Sequence, residues 1–220
     1  MVRAAVFDAF GTLFDIHSLA AACEAAFPGR GEAINRLWRQ KQLEYSWLRT
    51  ALGRYRDFWG ITGDALAYAC GSLECVLTDD IRARILAAYD SITAVPEASA
   101  ALTSLRARGT GIHIFSNGTL AMLRTAARST GLDALVDGYL SVDEAVRQYK
   151  PVPATYHDVI RRLGAPAAEI LFVSSNYFDV AGAKNVGFRV VWVNRSGAPP
   201  DALALTPDHT LPDLTEVASL

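Results

Sequence analysis

The chain is expected to fold as an α/β protein: a buried parallel sheet flanked by helices, with a second, helical unit inserted after the first strand. Two observations predict this. Short runs rich in Val, Ile and Phe recur at Ala4 to Phe7, Gly111 to Phe115, Ile170 to Val173 and Arg189 to Val193, with helical patterns between them. Unbroken apolar runs suit strands covered on both faces, and their alternation with helices suits parallel pairing. The second observation is a gap: roughly 80 residues of largely helical pattern separate Phe14 from the next core helix near Glu97, far more than a crossover takes. The expected division is therefore a core of residues 1–14 and 93–220 with an inserted helical cap at 15–92.

Taken in order, the first strand ends at Asp8. Within the insert, Ile34, Trp38, Lys41, Tyr45, Leu48 and Leu52 recur at spacings of four and three, which predicts a long helix with one largely apolar side. Asn35, Arg39, Gln42 and Ser46 form a neighbouring polar stripe. Asp79 and Asp80, just before Ile81, carry the charge and capping character of another helix start. Pro96 marks the return to the core. A weaker strand is expected near Gly138 to Leu140. The Gly197-Ala-Pro-Pro200 stretch should close the last strand in a surface loop, and the tail after Pro207 carries no pattern.

Composition excludes several classes of function. With 220 residues, 51% hydrophobic and 20% charged, the chain is expected to be soluble and to form one domain or a domain with an insertion. The formal net charge is -2, and no basic run suggests a nucleic-acid surface. No apolar run approaches membrane-spanning length, and the stretch before Asp8 is too short for a signal-peptide core. A cytoplasmic location is expected. Cys23, Cys70 and Cys75 are odd in number without a CxxC pair, so buried reduced thiols are the ordinary reading. His17, His113, His157 and His209 lack metal-ligand spacing.

Strand ends are where an open parallel sheet collects its ligand groups. Three polar clusters fall there: Asp8-Ala-Phe-Gly-Thr-Leu-Phe-Asp15, Ser116-Asn117-Gly118-Thr119, and Ser174-Ser175-Asn176-Tyr177-Phe178-Asp179. Lys150-Pro151 precedes a helical segment. By position alone each has an ordinary alternative. Asp8 could be a turn cap, Ser116 and Asn117 caps of a helix starting near Thr119, and Asp179 the N-cap of a helix over Val180 to Val186. Arg39 could lie on a solvated helix face, Lys150 on the surface, and Tyr156 in the core.

In its order of motifs the sequence resembles the haloacid dehalogenase (HAD) superfamily. Through DAFGTLFD, WRQKQLEYSWLR, FSNG, YKP and FVSSNYFD it resembles the L-2-haloacid dehalogenase family over nearly the whole chain. The resemblance implies a Rossmann-like HAD core under a helical cap, with Asp8 as a nucleophile that forms an ester intermediate. It implies hydrolysis of (S)-2-haloalkanoic acids to (R)-2-hydroxyalkanoic acids and halide. Arg39 would stabilise the departing halide from the cap, with Asn117 also facing it. Ser116 and the backbone around Ala9 and Phe10 would hold the substrate carboxylate. Lys150, supported by Tyr156, would neutralise Asp8 and Asp179. Thr12 would position Asp8, and Asp179, Ser174 and Asn176 would orient the water that attacks the ester. Phe10, Gln40, Leu43, Phe58, Trp59 and Phe178 are candidate apolar walls.

Phe10 separates this reaction from its main alternative, a Mg-dependent phosphatase of the same superfamily. Such phosphatases usually place a second Asp there to protonate an alcohol leaving group, whereas halide leaves without a proton. Ser175 likewise stands where the phosphatase pattern has a magnesium-binding Asp. Neither metal nor other cofactor is therefore expected. A non-catalytic binding protein on the same fold is a third reading. The expected partners are a 2-haloacid and halide ion, not nucleic acid or membrane, and the resemblance suggests a homodimer.

Overall fold

The computed structural model describes residues 2–220. Its strands are β1 (Ala4–Phe7), β2 (Phe14–Asp15), β3 (Thr93–Ala94), β4 (Gly111–Ser116), β5 (Gly138–Ser141), β6 (Ile170–Ser174), β7 (Arg189–Val193) and β8 (His209–Leu211). Its α-helices are α1 (Ala20–Ala26), α2 (Gly31–Ala51), α3 (Phe58–Ser72), α4 (Asp79–Ala87), α5 (Ala98–Ala107), α6 (Leu120–Ser129), α7 (Pro153–Leu163) and α8 (Tyr177–Asn185).

Six strands form one parallel sheet in the order β5-β4-β1-β6-β7-β8. The apolar runs are buried as their composition requires: Ala5, Val6, Phe7, Ile112, Ile114, Phe172, Val173, Val190 and Val191 are fully enclosed. Because β1 lies between β4 and β6, the chain leaves it in opposite directions on its two sides. Brought over that crevice are the ends of three strands, with Asp8 between Ser116 and Ser174. The Arg189–Val193 strand is not the last of the sheet, because His209–Leu211 pairs beyond it. That strand is three residues long and half-exposed, too short to show alternation in the sequence.

β2 and β3 pair antiparallel, Phe14 against Ala94 and Asp15 against Thr93, so the chain leaves and re-enters the core side by side. Between them lie α1 to α4 and two short 3₁₀ turns, with no strand. Local chemistry sets several helix starts. Asp57 accepts from the Gly60 amide at 2.7 Å before α3, and Thr78, rather than Asp79 or Asp80, accepts from Ile81 before α4.

The long helix α2 is turned differently from the sequence expectation. Its polar stripe is the buried one: Asn35, Gln42 and Ser46 are enclosed beside Ile34 and Trp38. The end of the apolar stripe faces outwards, with Leu48 48% and Leu52 71% exposed. Hydrogen bonds explain the reversal, since each buried polar side chain has a partner and pays no desolvation penalty unaided. Cys23 and Cys70 are buried, but Cys75 is half-exposed, outside the expectation for all three thiols.

Candidate active site

Asp8 follows β1 directly and is 6% exposed. The chain then folds into a tight turn in which the amides of Thr12, Leu13 and Phe14 all donate to the Ala9 carbonyl, while Gly11 N–H donates to Phe14. Gly11 has φ +94°, a conformation that a side chain would strain. The Gly11 and Thr12 carbonyls are left to be met from outside. Ser175 Oγ donates to the Gly11 carbonyl at 2.6 Å. Arg195 donates to both, at 3.1 Å each, while Glu97 pairs with its guanidinium at 2.6 Å.

Donors converge on the Asp8 carboxylate. Thr12 Oγ1 and Asn176 Nδ2 donate to Oδ2 at 3.0 and 2.8 Å, and Lys150 Nζ reaches Oδ1 at 3.2 Å. Lys150 is buried, and its ammonium also donates to Asp179 Oδ2 at 2.8 Å and the Phe115 carbonyl at 2.7 Å. Three acceptors match its three protons. Asp179 does not cap a helix over Val180 to Val186. The helix starts at Tyr177, so Asp179 lies buried in its first turn, with Tyr156 Oη donating to its Oδ1 at 2.6 Å. Gly182, one turn on, permits this approach, because a β-carbon there would lie 2.3 Å from the Tyr156 hydroxyl.

Burial raises the Asp179 pKa to about 6, the Lys150 ammonium opposing it and Asp8 adding to it. Burial also pushes the Tyr156 phenol well above its ordinary value, with Asp179 adding to the rise, so it stays a donor. The expected result is an acid limb near pH 6 in any step that needs ionised Asp179, absent from an Asp179→Asn variant with residual activity. For stability the sign is opposite to that of an ordinary ion-paired Asp. Between the ordinary Asp value of 3.8 and about 6 the fold holds more protons than the unfolded chain. This group's contribution therefore falls as pH rises through that window.

On the β4 side, Ser116 and Asn117 do not cap α6. Thr119 does, accepting from Met122 N–H at 3.3 Å. Ser116 Oγ accepts from Gly118 N–H at 3.0 Å, and Asn117 Oδ1 accepts from Lys150 N–H at 2.9 Å. Ser174 is fully buried below Asn176 and accepts its amide at 3.1 Å.

Arg39 comes from α2 and reaches the Phe10 carbonyl through Nη2 at 3.4 Å. Its pKa is lowered by burial, with Tyr89 and Asp8 opposing. Nη1 donates to Gln42 Oε1 at 2.7 Å. The Gln42 orientation is dictated step by step. Thr62 Oγ1 donates to the Phe58 carbonyl, so its oxygen must accept from Gln42 Nε2 at 2.7 Å, which turns Oε1 towards Arg39. The neighbouring expectation, Gln40, is exposed and lies outside the cleft.

Asp8, Phe10, Arg39, Leu43, Phe58 and Phe178 enclose a cavity of about 10 Å³, with Ser116, Asn117, Lys150 and Asn176 on its polar side. Ala9 is buried beneath it. Trp59 does not line this cavity. It is 38% exposed and stands edge-on to Tyr89 in a separate pocket of about 270 Å³. A cleft of about 610 Å³ lies at the opposite end of the sheet beside Arg3 and Arg189, away from these groups.

Four groups at this site were not singled out in the sequence: Trp47, Thr50, Tyr89 and Arg195. Trp47 Nε1 donates to the Lys150 carbonyl at 3.1 Å, and its ring meets Phe178 edge-on at 5.3 Å. Thr50 Oγ1 accepts from Tyr149 N–H at 3.1 Å, so α2 steadies the loop that presents the lysine. Tyr89 accepts from Gln42 at 3.1 Å and packs edge-on against Phe10. For Trp47 and Thr50 the available signal was their position within the segment WRQKQLEYSWLRT, about two and three turns beyond Arg39.

Sheet and site together define a class: α/β enzymes that hold a carboxylate at the end of the central strand against a buried lysine and a second carboxylate. Comparison with known proteins is more specific. The haloacid dehalogenase-like hydrolase family model matches residues 2–187. An (S)-2-haloacid dehalogenase of Xanthobacter autotrophicus is 50% identical over 195 residues, covering 89% of this chain and 76% of the relative. Haloacetate dehalogenase H-2 of Moraxella sp. (strain B) is 40% identical over 219 residues, covering 100% and 97%. The solved L-2-haloacid dehalogenase from X. autotrophicus with chloropropionic acid covalently bound has a TM-score of 0.93 and 43% identity, covering 100% of this chain and 98% of that one. The chain belongs to the haloacid dehalogenase-like hydrolase family, as the resemblance in its motifs implied.

Proposed function

We propose that the chain hydrolyses (S)-2-haloalkanoic acids to (R)-2-hydroxyalkanoic acids and halide through an ester on Asp8, beneath a cap formed by residues 15–92. The observation that carries this reading is the pairing of a buried, lysine-held Asp8 with Phe10 two residues on, where a leaving-group acid would otherwise stand. The dehalogenase relatives and the covalent chloropropionic acid in the solved neighbour support it.

Asp8 Oδ2 accepts from two fixed donors, so Oδ1, with its one contact at 3.2 Å, is the oxygen that attacks C2. The C–X pair leaves as halide against Arg39 and Asn117, and C2 inverts once. The substrate carboxylate rests on Ser116 and the backbone near Ala9 and Phe10. Water positioned by Asp179, Ser174 and Asn176 then attacks the ester carbonyl, whose Oδ2 gathers charge against Thr12 and Asn176. Collapse breaks the bond from the Asp8 carboxyl carbon to Oδ1, the alkoxide takes the proton that Asp179 received from the water, and the second water proton leaves to solvent, so the Asp8 carboxylate is restored and the alcohol carries one former Asp8 oxygen.

The same reading needs no metal. Asn176 Nδ2 lies 2.8 Å from Asp8 Oδ2 and 3.5 Å from the Phe10 carbonyl, so an amide bridges those two oxygens. Ser175 is committed to Gly11 and Thr12. Purified protein given (S)-2-chloropropionate and chelator should release halide at the rate seen without chelator, and should leave a phosphate ester with Mg²⁺ untouched. Phosphate release without halide would favour the phosphatase alternative.

A homodimer and a cytoplasmic location belong to this reading too. Leu48 and Leu52 face outwards at the end of α2, and the exposed Tyr68 of α3 stands edge-on to Tyr45 at 6.2 Å. An apolar stripe of this kind suits a second copy of the chain. Sedimentation should show a dimer that Leu52→Glu weakens. Reduced thiols such as Cys23 and Cys70 suit the cytoplasm.

A further inference from the structure

The cavity at Asp8 measures about 10 Å³, room for about one water. 2-Chloropropionate brings three carbons, two oxygens and a halogen. Most of the wall cannot yield to it. Asp8, Asn117 and Lys150 are buried and hydrogen-bonded, Asn176 is tied to Asp8, and Phe10 and Phe58 are enclosed. Leu43 and Phe178 differ, being half-buried apolar side chains. Both, with Asn176, also line a second cleft of about 440 Å³ that runs past Ile16 and Val95 to Trp192 and the loop after β7.

The pocket beside Trp59 and Tyr89 is faced by Asp57, Asp90 and Asp143. It shares no lining residue with the cavity at Asp8. In the larger cleft Asp15, Asp201 and the Glu97-paired Arg195 are accompanied by Ile16 and Val95, which continue the apolar wall of Leu43 and Phe178. With the substrate carboxylate on Ser116 and C2 over Asp8, the free direction for the carbon chain is towards this cleft.

We propose that Leu43 and Phe178 part when substrate binds and that the 440 Å³ cleft receives the alkyl tail, so that the site accepts 2-haloalkanoates of six carbons or more. The inference rests on the dehalogenase reading. Methylenes leaving water for an apolar wall add affinity that a propionate cannot gain.

Ala198 and Ser196 line the cleft on the loop after β7, and Ala198 is held there by backbone hydrogen bonds to the Asn194 side chain. Ala198→Trp and Ser196→Trp each fill the cleft with an indole while leaving the groups around Asp8 in place. The measurement is kcat/KM of the full chain for (S)-2-bromopropionate and (S)-2-bromohexanoate. Wild-type protein should use both. Either variant should lose at least about tenfold on the hexanoate relative to the propionate, the discrimination one apolar contact supplies. Equal changes on the two substrates, no change, or a wild type active on the propionate alone would overturn the inference. Release of halide from neither would instead overturn the dehalogenase reading.

Discussion

Exchanging Asp8 for asparagine stops turnover: halide release from (S)-2-chloropropionate falls by roughly 10⁵-fold or more, the scale on which removal of a covalent nucleophile acts. The amide has nearly the shape of the carboxylate but no charged oxygen to attack carbon. The fold should survive, because Lys150 keeps Asp179 and the Phe115 carbonyl as partners. A single turnover of wild-type protein in heavy-oxygen water separates the ester route from direct hydrolysis. The first product should carry unlabelled Asp8 oxygen while solvent label enters the enzyme. Label in the first product would mean that water attacks C2.

Lys150→Met should be nearly as damaging to activity and more damaging to the fold. Two buried carboxylates would face each other without their shared cation, and removing one partner of a buried ionic set costs about 3–5 kcal/mol. One carboxylate then takes up a proton, its pKa raised in the folded chain above its unfolded value. Folded protein holds more protons than unfolded across that window, so the variant loses stability as pH rises. Urea unfolding at pH 5 and pH 8 should therefore show the larger deficit at pH 8. Lys150→Met combined with Asp179→Asn should recover much of the stability and none of the activity. An inactive Lys150→Met that is as stable as wild type at pH 8 would contradict the shared-cation role.

Much of this was legible in the sequence, for identifiable reasons. Buried parallel strands write themselves as apolar runs, and the polar residues ending those runs, Asp8, Ser116 and Ser174, are the ones the sheet collects. The orientation of α2 was not legible, because an apolar stripe reads as inward whether it meets the core or a surface. Only the hydrogen bonds of Gln42 and Ser46 show that the polar stripe is enclosed. The same blindness chose Gln40 over Gln42. These residues are two apart on a helix, about 200° around its axis, so one is buried when the other is exposed. Arg195 was invisible because its partners are backbone carbonyls of a loop near the other end of the sequence.

That long reach of Arg195 bears on when the protein first becomes reactive. Asp8 is synthesised long before the residues that close the turn aiming it, because Ser175 and Arg195 lie 164 and 184 positions beyond Gly11. A nascent chain thus carries its nucleophile well before it can aim it, which waits until the strand preceding Arg195 has docked. Its chemistry is thus tied to the docking of β7, and until then an alkylating substrate meets an unaimed carboxylate.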